Sequence, residues 1–405
     1  MGSNVRAARD WSHETASLRL WFAVILFLAA LLAVMPAQTY NLWKASVAGA
    51  EWGHFVAIAA IVTLIIPGWW RTILGQLASG ITVVAALLAI SPSVRAYMSS
   101  RELDAGLRSA FGADSAKAAE QPIAFMPLFR QPAISGVTVT TLRYAVRDDK
   151  PLELDLYRKS SAPVSPGDSS RAAAAAGLPL VVTLHGGSWV GGDRKDLPDL
   201  NYYLASRGYV VAAPSYRFAP AHPFPAASED VNAAIDYLKE RARNLGIDPT
   251  RIVLIGRSAG GQLALYSAYT KADPAIKGVA ALYAPSDQLW GWQHPTNPHV
   301  YDSYASLRTF LNGEPSQVPS AYKAASPINY VGPNTVPTLL IHGVMDPLVS
   351  VQQSQRLDSA LAAARRPHYF VKLPWATHGC DYVFNGPCGQ VSTYAIERFL
   401  RAVTR

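Results

Sequence analysis

Charge is scarce in this 405-residue chain: only 16% of its residues are Asp, Glu, Lys or Arg, against roughly a quarter in an ordinary soluble domain. Half of the residues are apolar, which excludes an intrinsically disordered protein. Cysteine is scarcer still. Two thiols exclude a Cys-only zinc site and a framework of several disulfides. Also missing is any stripe of Lys and Arg interleaved with aromatics, and the net charge of +8 is spread along the chain. Nucleic acid is therefore not an expected partner. No internal repeat is visible, and the length allows two or three domains with one large core.

The shortage of charge is uneven. Residues 1–110 hold eight Lys/Arg and five Asp/Glu, packed around long uncharged runs, whereas the remaining 295 hold 28 and 23. Leu20–Met35 carries no charge and ends at Pro36. Trp52–Ile66 has His54 as its single titratable group and closes on Pro67-Gly68-Trp69-Trp70. Thr72–Ile90 is again uncharged and ends at Ser91-Pro92. A membrane span needs about 20 mainly apolar residues. Trp21, Trp43, Trp52, Trp69 and Trp70 sit at the edges of these runs, where amphipathic rings favour the headgroup layer. A signal peptide would explain the first run alone, with Arg6, Arg9 and Arg19 as its basic region. Two further runs before any globular segment speak against simple cleavage. The expectation is a membrane region over residues 1–95 with three spans, about 20–36, 52–70 and 72–90.

Sidedness is less legible. With the N-terminus inside, Arg6, Arg9, Arg19 and Arg71 face Lys44, Arg95, Arg101 and Arg108 across the bilayer, four against four, so the positive-inside rule does not decide. Cys380 and Cys388 lie eight residues apart in one Gly/Pro-containing loop, a separation a short disulfide can close. Two unpaired thiols are the alternative. A disulfide would require an oxidising compartment, in agreement with three spans and the large domain outside the cytoplasm.

From residue 96 to 136 the chain is mixed and reads as a linker or docking segment, with a short helical pattern at Arg101–Phe111. Val137–Val146 and Leu152–Tyr157 alternate as strands around an Asp148-Asp149-Lys150 turn. The Ala-rich, low-complexity stretch Lys159–Gly177 reads as an exposed loop. Beyond it, apolar strands at Leu180–Leu184, Val210–Ala213, Arg251–Ile255, Gly278–Tyr283, Thr338–Ile341 and Tyr369–Leu373 alternate with helical patterns. These helices are Leu197–Ser206, Ala227–Leu245, Ala259–Tyr269, Val351–Ala363 and Val391–Val403. Continuous apolar strands between amphipathic helices predict an α/β domain over residues 137–405, a mostly parallel, doubly wound sheet covered on both faces.

One motif carries chemistry. The strand Arg251–Ile255 runs into Gly256-Arg257-Ser258-Ala259-Gly260-Gly261 and then a helix, a G-x-S-x-G in strand–turn–helix context. The turn is so tight that its flanking positions have no room for side chains, which exposes the serine hydroxyl at the sheet's carboxyl edge. A serine needs a base to remove its proton, and the base needs a carboxylate to orient it. In the order Ser…Asp…His, His378 follows the last strand in a loop at the right edge. His342 ends a strand before any suitable acid and His368 precedes one. Asp346 follows Thr338–Ile341 and is the preferred acid; Asp287, after the preceding strand, is its rival, with a turn or capping role as the other reading. Leu184-His185-Gly186-Gly187-Ser188-Trp189 follows a strand and resembles the H-G-G-G loop that supplies N–H donors to an oxyanion hole; by that likeness the donors would be Gly187 and Ser188, with Ala259, after the nucleophile, as the other. His185 reads as structural. Neither a cofactor nor a metal is expected, and His294 with His299 make no persuasive metal pair.

These pieces resemble the α/β-hydrolase superfamily, esterase/lipase type with an H-G-G-x-W loop. That group takes in hormone-sensitive-lipase-like carboxylesterases, feruloyl and acetyl esterases, arylformamidase-like enzymes and isoprenylcysteine methylesterases. The likeness runs from about Val137 to the end and rests on His185–Gly192 with Asp193, Ser215–Pro220, Asp230, the Gly256–Gly261 elbow, Asp346 and His378. The N-terminal spans, the Ala-rich insertion and Ser188 in place of a third glycine depart from it. The resemblance implies a membrane-anchored serine hydrolase that cleaves a small-molecule or lipid-like ester. An amidase, an arylformamidase or an acyltransferase would use the same machinery. Tyr216, Arg217 and Asp230 are expected to support the fold or the oxyanion loop. Residues 286–336, with Trp290, Trp292, Tyr301, Tyr304 and Phe310, form a cap-like insertion whose aromatics line a pocket or build a small core of their own.

Overall fold

The computed structural model describes residues 2–65, 71–112, 121–160 and 177–405; most of the Ala-rich stretch and Pro67–Trp70 lie outside these. Among the described residues, eight strands form one sheet in the order β1-β2-β4-β3-β5-β6-β7-β8. They are β1 (Val137–Arg147), β2 (Lys150–Lys159), β3 (Leu178–Leu184), β4 (Val210–Pro214), β5 (Ile247–Arg257), β6 (Ile276–Leu282), β7 (Thr338–Gly343) and β8 (His368–Leu373). β1 and β2 pair antiparallel, β2 joins β4 antiparallel, and every other pairing is parallel. Each predicted strand is present, lengthened by a residue or more.

The parallel strands are buried on both sides, as their unbroken apolar runs require. Leu180, Val182, Leu254 and Leu340 point into one core. That core is covered by helices α6 (Ala226–Glu240), α8 (Ala259–Thr270) and α12 (Gln352–Ala363). Their alternating neighbours Val181, Val253, Leu339 and Ile341 point into the other, beneath α5 (Asp199–Ser206) and α13 (Pro387–Val403). A short α7 (Ala242–Leu245) leads into β5, and the insertion between β6 and β7 contains α9 (Gln288–Gln293), α10 (Ser303–Leu311) and α11 (Pro319–Ala324).

The N-terminal part departs from expectation in two places. It comprises α1 (Gly2–Leu31), α2 (Tyr40–Glu51), α3 (Gly53–Ile65) and α4 (Ile73–Phe111). Among the described residues, two helices, α1 and α4, are long and apolar enough to cross a membrane. The expected middle span is instead α3, with α2 bent against it by 69° at Trp52. At 13 residues α3 rises only about 20 Å, less than the roughly 30 Å hydrocarbon core. α4, in turn, does not stop at Pro92. A proline removes one intrahelical N–H donor, but the Leu88 carbonyl that loses it accepts from the Ser91 hydroxyl at 2.7 Å, and the helix continues to Phe111.

Where these helices meet, small residues face inward: Ala23 and Ala30 of α1, Ala57 and Ala60 of α3, Ala78, Ala85 and Ala89 of α4. Large apolar side chains such as Trp21, Phe22, Ile25, Leu28, Ile61, Ile65 and Leu87 face out. The C-terminal half of α4, read from sequence as linker, covers the sheet. Leu103 and Leu107 are buried with Val371, Val391 and Phe399, and the rings of Phe111 and Phe399 lie 4.9 Å apart.

Candidate active site

The sheet topology brings the predicted residues to one edge. The chain leaves β3 toward β4 and returns to β5 on the other side of β3, so the carboxyl ends of β3 and β5 bound a crevice. Register pairs Leu184 with Gly256, Arg257 with Leu282, Leu282 with Ile341 and Gly343 with Leu373. The loops after these four pairings therefore open side by side.

Ser258 stands at the end of β5 with φ 53° and ψ −121°, a left-handed conformation that a side chain adopts only under constraint. The constraint is steric. A Cβ on Gly256 would run into the Gly260 carbonyl, and one on Gly260 into the carbonyls of Leu184 and His185. His378 Nε2 lies 3.0 Å from Ser258 Oγ, and His378 Nδ1 lies 2.7 Å from Asp346 Oδ2. Because a carboxylate only accepts, Nδ1 carries the proton and donates it, leaving Nε2 to accept from the serine hydroxyl.

Asp346 is wholly buried. Its Oδ1 accepts from the Leu348 and Val349 N–H groups, each at 2.8 Å. Its Oδ2 also accepts from His342 Nε2 at 3.1 Å. That second imidazole shares its Nε2–H with Val349 O at 2.9 Å and takes the Ser354 hydroxyl on Nδ1 at 2.7 Å. Burial alone would raise the carboxyl; the two imidazoles outweigh it and hold Asp346 well below the usual carboxylate range. His342 was set aside in the sequence because it precedes the acid. Its spacing of four from Asp346 was the available signal. Asp287 does not join the cluster: it caps α9 by accepting from Trp290 N–H at 3.0 Å and pairs with Arg356 at 2.8 Å.

Gly187, Ser188 and Ala259 line the same cavity as Ser258 and His378. The loop that carries the first two is fixed from several directions. Gly187 has φ 123°, a backbone that glycine adopts readily. Tyr216 Oη donates to His185 O at 2.8 Å, and the two rings stack at 4.3 Å. Burial pushes the His185 imidazole down, toward the neutral form. Trp189 Nε1 donates to Gln262 Oε1 of α8 at 2.9 Å and stacks on Phe310 at 4.1 Å. Ser188, the departure from a third glycine, accepts from the Tyr301 hydroxyl at 2.9 Å. Arg217 makes a bidentate pair with the buried Asp230 at 2.8 and 3.0 Å. Of the insertion aromatics, Trp290 and Tyr301 reach the cavity, while Phe310 is core.

Two features escaped the sequence reading. Arg257, inside the elbow, is buried and paired with Asp381 at 2.5 Å, and Asp381 also accepts from the Tyr283 hydroxyl. The Tyr283 ring lies 4.5 Å from that of His378, so the nucleophile turn and the histidine loop share one buried ionic contact. A charged residue in the G-x-S-x-G turn was its only sequence sign. The second is α2. Trp43 Nε1 donates to the His378 carbonyl at 3.0 Å, although 335 positions separate the two residues. Cys380 and Cys388, joined by a disulfide, close the same loop. The cavity has a volume of about 870 Å³, within the range of small-molecule sites.

Comparison with known proteins finds similarity to esterases. The BD-FAE family model matches residues 170–361. Esterase LipC of Mycobacterium tuberculosis is 28% identical over 277 residues, covering 64% of each chain. An ethyl acetate hydrolase of Pseudomonas putida is 30% identical over 264 residues, 60% of this chain and 74% of the relative. This chain spans just under two thirds of LipC and about half of two further mycobacterial esterases. Among solved structures, a bacterial heroin esterase matches with a TM-score of 0.55 at 22% identity, over 76% of this chain and 93% of that one.

Proposed function

This chain belongs to the α/β-hydrolase esterases, and we propose that it is a membrane-anchored carboxylic ester hydrolase working through a Ser258 acyl-enzyme. The observation that carries this reading is the hydrogen-bonded line Asp346–His378–Ser258, with links of 2.7 and 3.0 Å, opening on the cavity. Ser258 Oγ attacks the ester carbonyl while His378 Nε2 takes its proton. The carbonyl oxygen gathers negative charge against the N–H groups of Gly187, Ser188 and Ala259. Asp346 stays ionised and orients the imidazolium. His378 then returns the proton to the leaving alcohol, and water, activated by the same imidazole, releases the acid and frees Ser258.

The membrane part of the reading rests on the inverted pattern of α1, α3 and α4, with alanines between helices and large apolar residues outside. Small interhelical residues suit helices packed in lipid, which offers no hydrophobic drive for burying large ones. α2 contacts the catalytic edge, so it lies on the same side of a bilayer as the catalytic domain. α1 then crosses once toward that side and α4 crosses toward it again, so the chain must pass back between them through the bent α2–α3 pair, with α3 by itself shorter than the hydrocarbon core; that gives three spans. The division into a membrane region (1–95) and a catalytic domain (137–405) follows, with the second half of α4 shared between them. A Cys380–Cys388 disulfide favours an extracytoplasmic, oxidising side for the domain.

The test is covalent. A fluorophosphonate probe labels the wild-type protein, and Ser258→Ala abolishes labelling and lowers p-nitrophenyl ester turnover by roughly 10⁴- to 10⁶-fold. Undiminished labelling of Ser258→Ala overturns the assignment.

A further inference from the structure

α2 is no part of the sheet or of its covering layers, yet it walls the cavity that holds Ser258 and His378. Tyr40, Trp43, Lys44 and Val47 line it, and their spacing puts all four on one helical face. The helix is held along its length. At its start, Tyr40 N–H donates to His299 O at 3.0 Å, and Asn297 Nδ2 donates to Gln38 O at 3.3 Å. In its middle, Trp43 Nε1 donates to His378 O at 3.0 Å. At its end, buried Glu51 accepts from Cys388 N–H at 3.0 Å. The insertion, the histidine loop and α13 all hold it.

Trp290, Leu307 and Leu348 line the same cavity. With these side chains around it, a cavity of about 870 Å³ would be left mostly empty by an acetyl group. A chain laid along them gains about fourfold in binding for each methylene it buries.

Resting on the esterase reading above, we propose that the Trp43–Val47 face of α2 determines chain-length specificity, and that the substrate is an ester bearing a medium-length or longer unbranched apolar chain. The N-terminal region is then a part of the substrate site as well as an anchor. Ethers and alkanes of the same length would bind without reacting; the ester carbonyl selects among them.

The test compares detergent-solubilised wild type with Val47→Trp and Val47→Ala. Their kcat/KM is measured on p-nitrophenyl acetate, p-nitrophenyl octanoate (chain on the acyl side) and octyl acetate (chain on the alcohol side). Val47→Trp fills the cavity and should lower the ratio of one octyl substrate to p-nitrophenyl acetate by about tenfold. Val47→Ala should shift the preference toward longer chains. A misfolded variant would lose all substrates together and would not produce opposite shifts. Ratios within twofold of wild type for both variants, with acetate turnover and fluorophosphonate labelling intact, overturn the inference and leave the esterase reading standing. Absence of turnover and of labelling in the wild type overturns both.

Discussion

Asp346 and Asp287 follow neighbouring strands, and a catalytic acid at either position fits the same chain order. What separates them is the partner each has found. Asp287 holds the first turn of α9 and a guanidinium at the surface, whereas Asp346 receives two imidazoles and two backbone N–H groups in a fully buried site. Asp346→Asn should therefore lower kcat by about 10⁴-fold, because an amide favours the wrong imidazole tautomer; Asp287→Asn should leave kcat close to wild type. A comparable loss at both positions would unseat Asp346. The same contacts have a pH signature. The folded-state carboxyl lies below its ordinary value of 3.8, so its pairing stabilises the fold fully above that pH. The contribution is lost as pH falls toward the folded value. Thermal melts of wild type and Asp346→Asn should differ most above pH 4 and converge in stronger acid; divergence on acidification would refute the ionised, paired carboxylate.

At the scale of elements, the segment that carries His378 is constrained from several directions. Trp43 holds its start, Asp381 bonds Arg257 and Tyr283, and the Cys380–Cys388 disulfide spans eight positions. So short a crosslink removes only about 2–3 kcal/mol of chain entropy from the unfolded state. Its larger effect is on the placement of the imidazole. Reduction with a phosphine should lower kcat for p-nitrophenyl esters while moving the unfolding midpoint only modestly; unchanged kcat in the reduced protein would show that the ionic contacts suffice. α4 illustrates the opposite relation between sequence and element. Its Ser91-Pro92 pair is a stop signal on paper, but a hydroxyl one residue before the proline satisfies the vacated carbonyl and the helix runs on.

At the scale of the whole molecule, α4 has two halves of opposite character. Its first half presents large apolar residues outward, and its second half is a layer of the catalytic domain. Leu107→Ala, in a segment that reads as linker, should lower the stability of the catalytic domain by about 2–5 kcal/mol, since Leu107 is fully buried there. Thermal unfolding with activity as the readout checks this. A change below about 0.5 kcal/mol, the level of an ordinary surface substitution, would reduce the second half of α4 to a tether.

Much of this protein is local and therefore readable in the chain. Parallel strands buried on both faces are continuous apolar runs, so β3 to β8 declare themselves. The nucleophile turn is legible because its glycines answer a clash between neighbouring backbone atoms, and His378 because a serine requires a base at that sheet edge. The oxyanion loop is equally near in sequence to the strand that carries it. Tertiary structure decided what distant segments do for one another. Asp346, and not Asp287, meets His378 and His342, through contacts that depend on how β7 and β8 align. Arg257 meets Asp381 across 124 positions, and Trp43 meets His378 across 335. Such pairings leave no periodicity in the chain. They arise when folding removes both partners from water, and the hydrogen bonds each then needs are satisfied by whatever the topology has brought alongside.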